Sequence, residues 1–198
     1  MIAVDAMRPG ERRAVARLYA DAFMTDPGWM AVGPDRPRML HAFIRRVCGG
    51  EAWAGPRLGA QVRVTRDGGL PSAAMITFGP DAKSTSPLLT VAGSPAAILA
   101  GPAAGLRALK ADSQLNEHPD EPHVFVSLLA ADPRHQRGGR GRALLTRAIE
   151  EAEALEVPCH LTTANPDNLP YYRSFGFHVT GEVLMPRNAS LWSLLRPS

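Results

Sequence analysis

The residues of this 198-residue chain best suited to chemistry form a glycine-rich turn, Gln136-Arg137-Gly138-Gly139-Arg140-Gly141. The turn follows an apolar run, 124–131, and precedes a segment, 144–155, with apolar residues at helical spacing. A helix N-terminus leaves backbone N–H groups unpaired and carries partial positive charge. Glycine lets a phosphate approach those groups without a Cβ in the way. The turn is therefore expected to cradle a pyrophosphate.

The spacing of the turn distinguishes among the families that use such a cradle. A Walker-type loop needs Lys-Ser or Lys-Thr after its last glycine, where this chain has arginine and alanine at 142–143. A dinucleotide fingerprint needs a third glycine, where this chain has Leu144. The pattern that fits is Gln-x-x-Gly-x-Gly over 136–141. On these six residues alone, an ordinary glycine-rich strand-to-helix turn is the alternative.

The elements that position this turn predict a mixed α/β sheet in one domain. The apolar run is too short for a helix and is bounded by Asp132-Pro133, which is typical of a buried strand. Asp26-Pro27-Gly28 is expected to end the first helix. Helices are predicted at 9–23, 37–52, 96–110 and 169–174, besides the one after the turn. Strands are also predicted at 2–7, 58–66, 72–78, 159–164, 179–185 and 191–195.

Charge and cysteine content exclude several classes of protein. The net charge is +3, and much of the basic excess is in arginines at and beside the turn. No aromatic residue lies among them, so a small polyphosphate is the better partner and no nucleic acid is expected. Cys48 and Cys159 lie in apolar segments without metal-ligand spacing, which indicates buried thiols of a cytoplasmic protein and no metal site.

No membrane partner is expected from the sequence. The charged residues Asp5 and Arg8 interrupt the N-terminus before an apolar signal region can form. The stretch 84–106 has no charge, but its prolines and glycines are typical of a buried loop and helix rather than of a membrane span.

Residues downstream of the turn extend the pattern into a family resemblance. Asn165 is followed seven residues later by Tyr172 and then by Gly176-Phe177. With the turn and the preceding segment 129–133, these residues make the chain from about 121 to 196 resemble the GCN5-related N-acetyltransferases (GNAT). The amino-acid sequence at 121–123 and 168–172 is most similar to that of the puromycin N-acetyltransferase-like branch of that family.

The resemblance implies a fold and an activity. The fold is a central mixed β-sheet with splayed parallel strands, flanked by helices. Residues 121–198 would form the acetyl-CoA-binding core of a single domain, 1–198, and residues 1–120 its acceptor-side helices and hairpin. The activity would be direct transfer of acetyl from acetyl-CoA to the amine of a small molecule or a terminal amine, in a ternary complex, by a monomer or homodimer.

The resemblance also implies site residues. Tyr172 stands at the family's position for the acid that protonates the leaving thiolate. Glu121 and His123 are candidates for the base, with Glu117, His118 and Asp120 as alternatives in the same segment. The implied cofactor-binding residues are Leu128, Leu129, Ala131, Gln136, Arg137, Gly138, Gly139, Arg140, Gly141, Arg142, Asn165, Asn168 and Tyr172.

Two departures from the family pattern affect these expectations. Arg137 stands where the family usually has glycine, and Gly138 where it often has a basic residue, so charge and glycine have exchanged places. Thr162 stands where the branch commonly has Glu, so the base must come from elsewhere. The alternative hypothesis is that the chain is a non-catalytic family member that binds or senses acyl-CoA without turnover.

Overall fold

The computed structural model describes residues 2–82 and 121–198, together with Ala104, Arg107 and Pro119. Within these residues, seven strands form one mixed sheet in the order β1-β2-β3-β4-β5-β7-β6. The strands are β1 Asp5–Ala6, β2 Ala60–Asp67, β3 Leu70–Phe78, β4 Val124–Ala131, β5 Cys159–Thr163, β6 His178–Leu184 and β7 Ser190–Arg196. The predicted mixed α/β sheet is therefore confirmed, although β1 is much shorter than predicted.

Five α-helices flank the sheet in the part of the chain that the structure describes. They are α1 Arg12–Phe23, α2 Pro27–Val32, α3 Pro37–Ala54, α4 Arg140–Ala154 and α5 Leu169–Arg173. The predicted helix at 96–110 falls almost wholly outside the described residues. None of the described helices is both long and apolar enough to cross a membrane.

Helix α2 corrects the prediction that Asp26-Pro27-Gly28 only ends a helix. The Asp26 carboxylate accepts hydrogen bonds from the backbone N–H groups of Gly28, at 3.0 Å, and Trp29, at 3.1 Å. An aspartate cap followed by proline at the first helical position is a helix start. The same three residues thus end α1 and begin α2.

The helices pack in two layers, one on each face of the sheet. Helices α1 and α3 cover one face, where the buried side chains include Tyr19, Phe43 and Ile44. Helices α4 and α5 cover the other face, where Leu144 and Leu145 are fully buried. Helix α4 buries Leu144, Leu145, Ala148, Ile149 and Ala152 at the spacing of one helical face, whereas Leu155, just after the helix, is exposed.

The parallel strands β4 and β5 diverge after a short paired segment, which we call the fork. They pair only over Val124–Val126 and Cys159–Leu161. On its other edge β4 continues to pair with β3 as far as Ala131, with a register shift that leaves Ser127 as an extra residue. From Ser127 onward, therefore, the edge of β4 that faces β5 has no strand partner among the described residues.

Candidate active site

A cavity of about 600 Å³ opens at the fork and is bounded by both layers of the fold. On one side it is lined by Ala22, Phe23, Thr25 and Asp26, at the end of α1 and the start of α2. On the other side lie the glycine-rich turn, the start of α4, and α5. The open edge of β4 lies between them, so the cavity joins the two faces of the sheet where the strands separate.

Most of the predicted site residues line this cavity. Those that do are Leu129, Ala131, Gln136, Arg137, Gly139, Arg140, Gly141, Arg142, Asn165, Asn168 and Tyr172. Leu128 and Gly138 do not line it. The Leu128 side chain is buried in the core under α1 and α3, and a Cβ added at Gly138 would lie 2.5 Å from the Arg140 guanidinium.

Two predicted catalytic residues lie at the opposite end of β4. His123 Nδ1 is 2.8 Å from the carbonyl oxygen of Glu121, and its ring packs edge-on against His160. At ~3.3 Å per strand residue, His123 is about 20 Å along the strand from Leu129. The structure does not bring Glu121 or His123 together with Tyr172. Glu117, His118 and Asp120 lie outside the described residues.

The turn presents backbone amides at the start of α4. Gly139 has φ 77° and precedes the helix, whose first amide with a backbone partner is that of Ala143, 2.9 Å from the Gly139 carbonyl oxygen. Within the described chain, the amides of 140–142 have no backbone partner. A Cβ at Gly141 would be 3.7 Å from the Tyr171 hydroxyl. Free amides without intervening side chains suit a pyrophosphate.

Arg137 occupies a backbone conformation that glycine favours. Its φ is 60°, in the left-handed region where a Cβ is strained. The family's usual glycine at this position, noted above as a departure, therefore has a conformational reason. Among the described residues Arg137 has no ion-pair partner, so its guanidinium is available to an anion in the cavity.

The other arginines of this region are held by the protein. Arg140 donates from Nε to Ser72 Oγ at 3.1 Å, and its Nη2 is 3.3 Å from Asp67 Oδ2. Arg142 lies over the ring of Phe175, with its guanidinium carbon 4.7 Å from the ring centroid. Arg140 thus braces the turn against the β2–β3 hairpin, and Arg142 braces it against the segment after α5.

Arg134 pairs with Asp132 just before the turn. Its Nη2 lies 2.6 Å from Asp132 Oδ2, and its side-chain hydrogen bonds are the main reason why the pKa of Asp132 is lowered to about 2. Asp132 is therefore an anion that fixes the strand-to-turn junction, and Arg134 is not free to meet a phosphate.

Tyr172 lies at the base of the cavity, 8% exposed. Burial, together with Tyr171 and Asp26, raises the pKa of its hydroxyl. The hydroxyl is therefore protonated at neutral pH, and burial makes it a weaker acid than an exposed tyrosine. Its ring packs edge-on against Tyr171 and Phe177, so the side chain also has a structural role.

The two asparagines also make internal contacts. Asn165 accepts a hydrogen bond from the backbone N–H of Asp167 at 3.0 Å and so caps the turn before α5. Asn168 donates to Thr163 Oγ1 at 3.4 Å and makes no side-chain cap of its own. Both still line the cavity. The amide group of Asn165 remains available to a ligand because only its oxygen is used in the cap.

Three polar residues of the cavity region, Asp26, Tyr171 and His135, were not predicted as site residues. Asp26 faces the cavity from the α2 cap, and burial raises the pKa of its carboxyl. Tyr171 lies beneath Gly141, and His135 Nε2 lies 3.0 Å from Asp67. The signal for Asp26 was an aspartate before Pro-Gly between two apolar helices, which was interpreted only as a break. An added Cβ at Gly28 would meet Ala164 at 2.8 Å, so glycine brings this cap against the end of β5.

Comparison with known proteins agrees with this geometry. Residues 96–177 match the model of the Acetyltransferase (GNAT) family. A Corynebacterium glutamicum protein named histone acetyltransferase HPA2 and related acetyltransferase has a TM-score of 0.75 at 19% identity, with 100% of this chain and 98% of that chain covered. An agmatine N-acetyltransferase has 0.66 at 15%, covering 100% and 99%. The Salmonella typhimurium protein yncA, solved with its cofactor acetyl-CoA, has 0.59 at 17%, covering 100% and 94%.

Proposed function

We propose that the chain is a member of the acetyltransferase (GNAT) family, whose model matches residues 96–177. We further propose that it transfers an acetyl group from acetyl-CoA to the amine of a small molecule or a terminal amine. The observation that carries this proposal is the cavity at the fork, which joins a turn with free backbone amides to a buried tyrosine and a carboxylate. The Salmonella typhimurium neighbour solved with acetyl-CoA supports the choice of cosubstrate.

The described residues fit acetyl-CoA along the length of the cavity. The pyrophosphate would accept hydrogen bonds from the free amides at the start of α4, with Arg137 adding charge. The pantetheine would pair with the open backbone edge of β4 between Ser127 and Ala131. Its length would then place the thioester at the fork, near Tyr172.

The chemistry requires an amine held against the thioester and a proton for the leaving thiolate. Holding both reactants in one cavity contributes several kcal/mol by proximity and orientation. Tyr172 lines the cavity with a hydroxyl that is protonated at neutral pH, and we propose that it supplies the proton to the sulfur. Asp26 faces the same space from the acceptor side, and we assign to it the binding of the acceptor's ammonium group. The acceptor is therefore proposed to be cationic in solution.

Finer assignments rest on the sequence resemblance. We place the chain in the puromycin N-acetyltransferase-like branch, with 1–120 as the acceptor side and 121–198 as the cofactor core of one domain. The free, buried thiols of Cys48 and Cys159 fit the proposed cytoplasmic location. A binding module that senses acyl-CoA without turnover is the second candidate, favoured by Thr162 where the branch has Glu.

One pair of measurements tests the proposal. Calorimetric titration with acetyl-CoA is expected to show binding, and free-thiol release with a panel of amines is expected to show turnover. Cationic amines should be better acceptors than neutral isosteres. Binding without thiol release for any amine would support the sensing module, and absence of binding would refute both functions.

A further inference from the structure

A second buried carboxyl group lies behind the fork, on the α3 side of the sheet. Ser127, the extra residue of β4, stands at the first position where β4 has left β5. Its hydroxyl donates a hydrogen bond to Oε1 of Glu51. Glu51 lies on α3 and is 4% exposed. A carboxyl group is thus held against the strand at the point where the sheet opens.

No cation pairs with Glu51 in the part of the chain that the structure describes. Its second oxygen, Oε2, is buried without a hydrogen-bond partner there. The titratable groups that face it are Tyr19 of α1 and Cys48 on its own helix, and burial raises the pKa of both, so they stay neutral. Asp26 acts on Cys48 from the α2 cap. Every group in this cluster is an acid.

These surroundings favour the protonated form of Glu51. Burial raises the pKa of its carboxyl to about 7, although the hydrogen bond from Ser127 acts in the opposite direction. A group with this property exchanges its proton near neutral pH, as a proton acceptor in catalysis must. A purely structural contact to Ser127 would be made equally well by a neutral amide.

We propose that Glu51 receives, through Ser127, the proton that the acceptor's ammonium group loses before the amine attacks the thioester. An N–H bond of the ammonium breaks as an O–H bond forms at Ser127 Oγ. The hydroxyl proton of Ser127 passes to Glu51 Oε1, which becomes a neutral carboxylic acid. The nitrogen lone pair is then free to form the C–N bond, and Glu51 releases its proton to solvent before the next turnover.

This inference rests on the proposed acetyl transfer and separates the roles of two carboxylates. Asp26 lines the cavity and binds the acceptor. Neither Glu51 nor Ser127 lines the cavity, but Ser127 is partly exposed at the fork, two residues before Leu129, which does line it. Glu51 acts through Ser127, so it is a positioning and relay residue. Loss of Asp26 should therefore appear mainly in the acceptor KM, whereas loss of Glu51 should appear in kcat and in its pH dependence.

The test is the pH profile of kcat at saturating acetyl-CoA, with two amine acceptors of different pKa. In the wild type, kcat should fall on the acid side with a midpoint near neutrality that is the same for both amines. Glu51→Gln and Ser127→Ala should lower kcat by about tenfold to a hundredfold and remove this midpoint. Ser127→Thr, which keeps the hydroxyl, should restore much of both. Asp26→Asn is the control that should raise KM and keep the midpoint.

Several outcomes would overturn the relay. Native kcat with an unchanged acid limb in Glu51→Gln would do so, as would a wild-type midpoint that follows the pKa of the amine. If Glu51→Gln does not fold, Ser127→Ala decides, because it leaves the carboxyl in place; native kcat and profile in that variant overturn the proposal. Wild-type protein without turnover of any amine refutes acetyl transfer itself, and the relay with it.

Discussion

At the scale of single residues, Tyr172 has both a chemical and a packing explanation, and these give different kinetics. Tyr172→Phe keeps the ring contacts with Tyr171 and Phe177 but removes the hydroxyl. If that hydroxyl protonates the thiolate, kcat should fall by about a hundredfold or more. Acetyl-CoA affinity should be nearly unchanged, and the free energy of unfolding should stay within about 1 kcal/mol of the wild type.

Tyr172→Ala is the matched comparison, measured at saturating acetyl-CoA after confirming that chemistry limits turnover. Removal of the ring should weaken cofactor binding and lower the free energy of unfolding together. A Phe variant with near-native kcat would show that Tyr172 is only a wall of the cavity.

Arg137 combines charge with an unfavourable backbone conformation, and two variants separate them. Arg137→Ala and Arg137→Gly both remove the charge, so each should weaken acetyl-CoA binding by about 1 kcal/mol, and by less at high salt. Only Arg137→Gly relieves the left-handed backbone at φ 60°, so it alone should raise the free energy of unfolding, by up to about 1 kcal/mol.

Denaturant unfolding of both variants beside the wild type measures this difference. Equal stability of the two variants would contradict the backbone argument. Equal affinity of the wild type for coenzyme A and its 3′-dephosphorylated form would show that Arg137 does not bind the 3′-phosphate. Arg140→Ala should act indirectly, because Arg140 holds Ser72 and Asp67.

The sequence predicted these residues unevenly, for physical reasons. The turn was predicted from its local spacing, and the role of Tyr172 from the family resemblance. Glu51 was missed, although it continues the apolar face of α3 through Leu40, Ile44 and Val47. A carboxylate at core spacing is the signal that could have found it. Its partner Ser127 is 76 positions away, and that contact exists only in the folded sheet.

At the scale of elements, the turn between β4 and α4 gives a prediction that separates strain from phosphate binding. Gly141→Asp places a carboxylate among the free amides at a helical position, where the added Cβ meets only the Tyr171 hydroxyl at 3.7 Å. It should abolish measurable acetyl-CoA binding through steric overlap and like-charge repulsion, with little loss of stability. Gly139→Asp should lose binding and also stability, because φ there is 77°.

Gly69→Asp is the control for these two variants. Gly69 lies in the β2–β3 turn with φ 82° and nothing within 4 Å of an added Cβ, and it does not line the cavity. The control should lose stability in the same way as Gly139→Asp and still bind acetyl-CoA. Calorimetric titration with acetyl-CoA and thermal unfolding of all three variants test this prediction. Native acetyl-CoA affinity in Gly141→Asp would show that the turn does not bind the pyrophosphate.

Elements were predicted well where their signal is local. The bounds of β4 agree with the apolar run that predicted it, and α4 begins within the turn as expected. The fork could not be predicted from spacing, because the number of residues over which β4 pairs with β5 depends on tertiary packing. Helix α2 was missed since a break and a cap use the same residue types.

At the scale of the whole molecule, Glu51 is a buried acid whose ionisation opposes folding. Its pKa rises from an ordinary 4.5 to about 7 in the folded chain. Below pH 4.5 both the folded and unfolded states hold the proton, so the group has no effect. Between these two values only the folded state holds it, and the free energy of unfolding falls as pH rises. The loss is complete above about pH 7 and amounts to about 3 kcal/mol.

Glu51→Gln should therefore be more stable than the wild type by up to about 3 kcal/mol above pH 7, and about equally stable near pH 4. The amide keeps an oxygen for Ser127 and carries no charge to bury. Denaturant unfolding of both proteins across this pH range measures the difference, with Glu150→Gln, an exposed carboxyl on α4, as the control expected to show little change at any pH. A stability difference independent of pH would show that folding does not raise the pKa of Glu51. We expect Glu51→Gln to combine a higher free energy of unfolding above pH 7 with a lower kcat than the wild type. In that case Glu51 lowers the stability of the protein and raises its activity, as expected of a residue that transfers a proton.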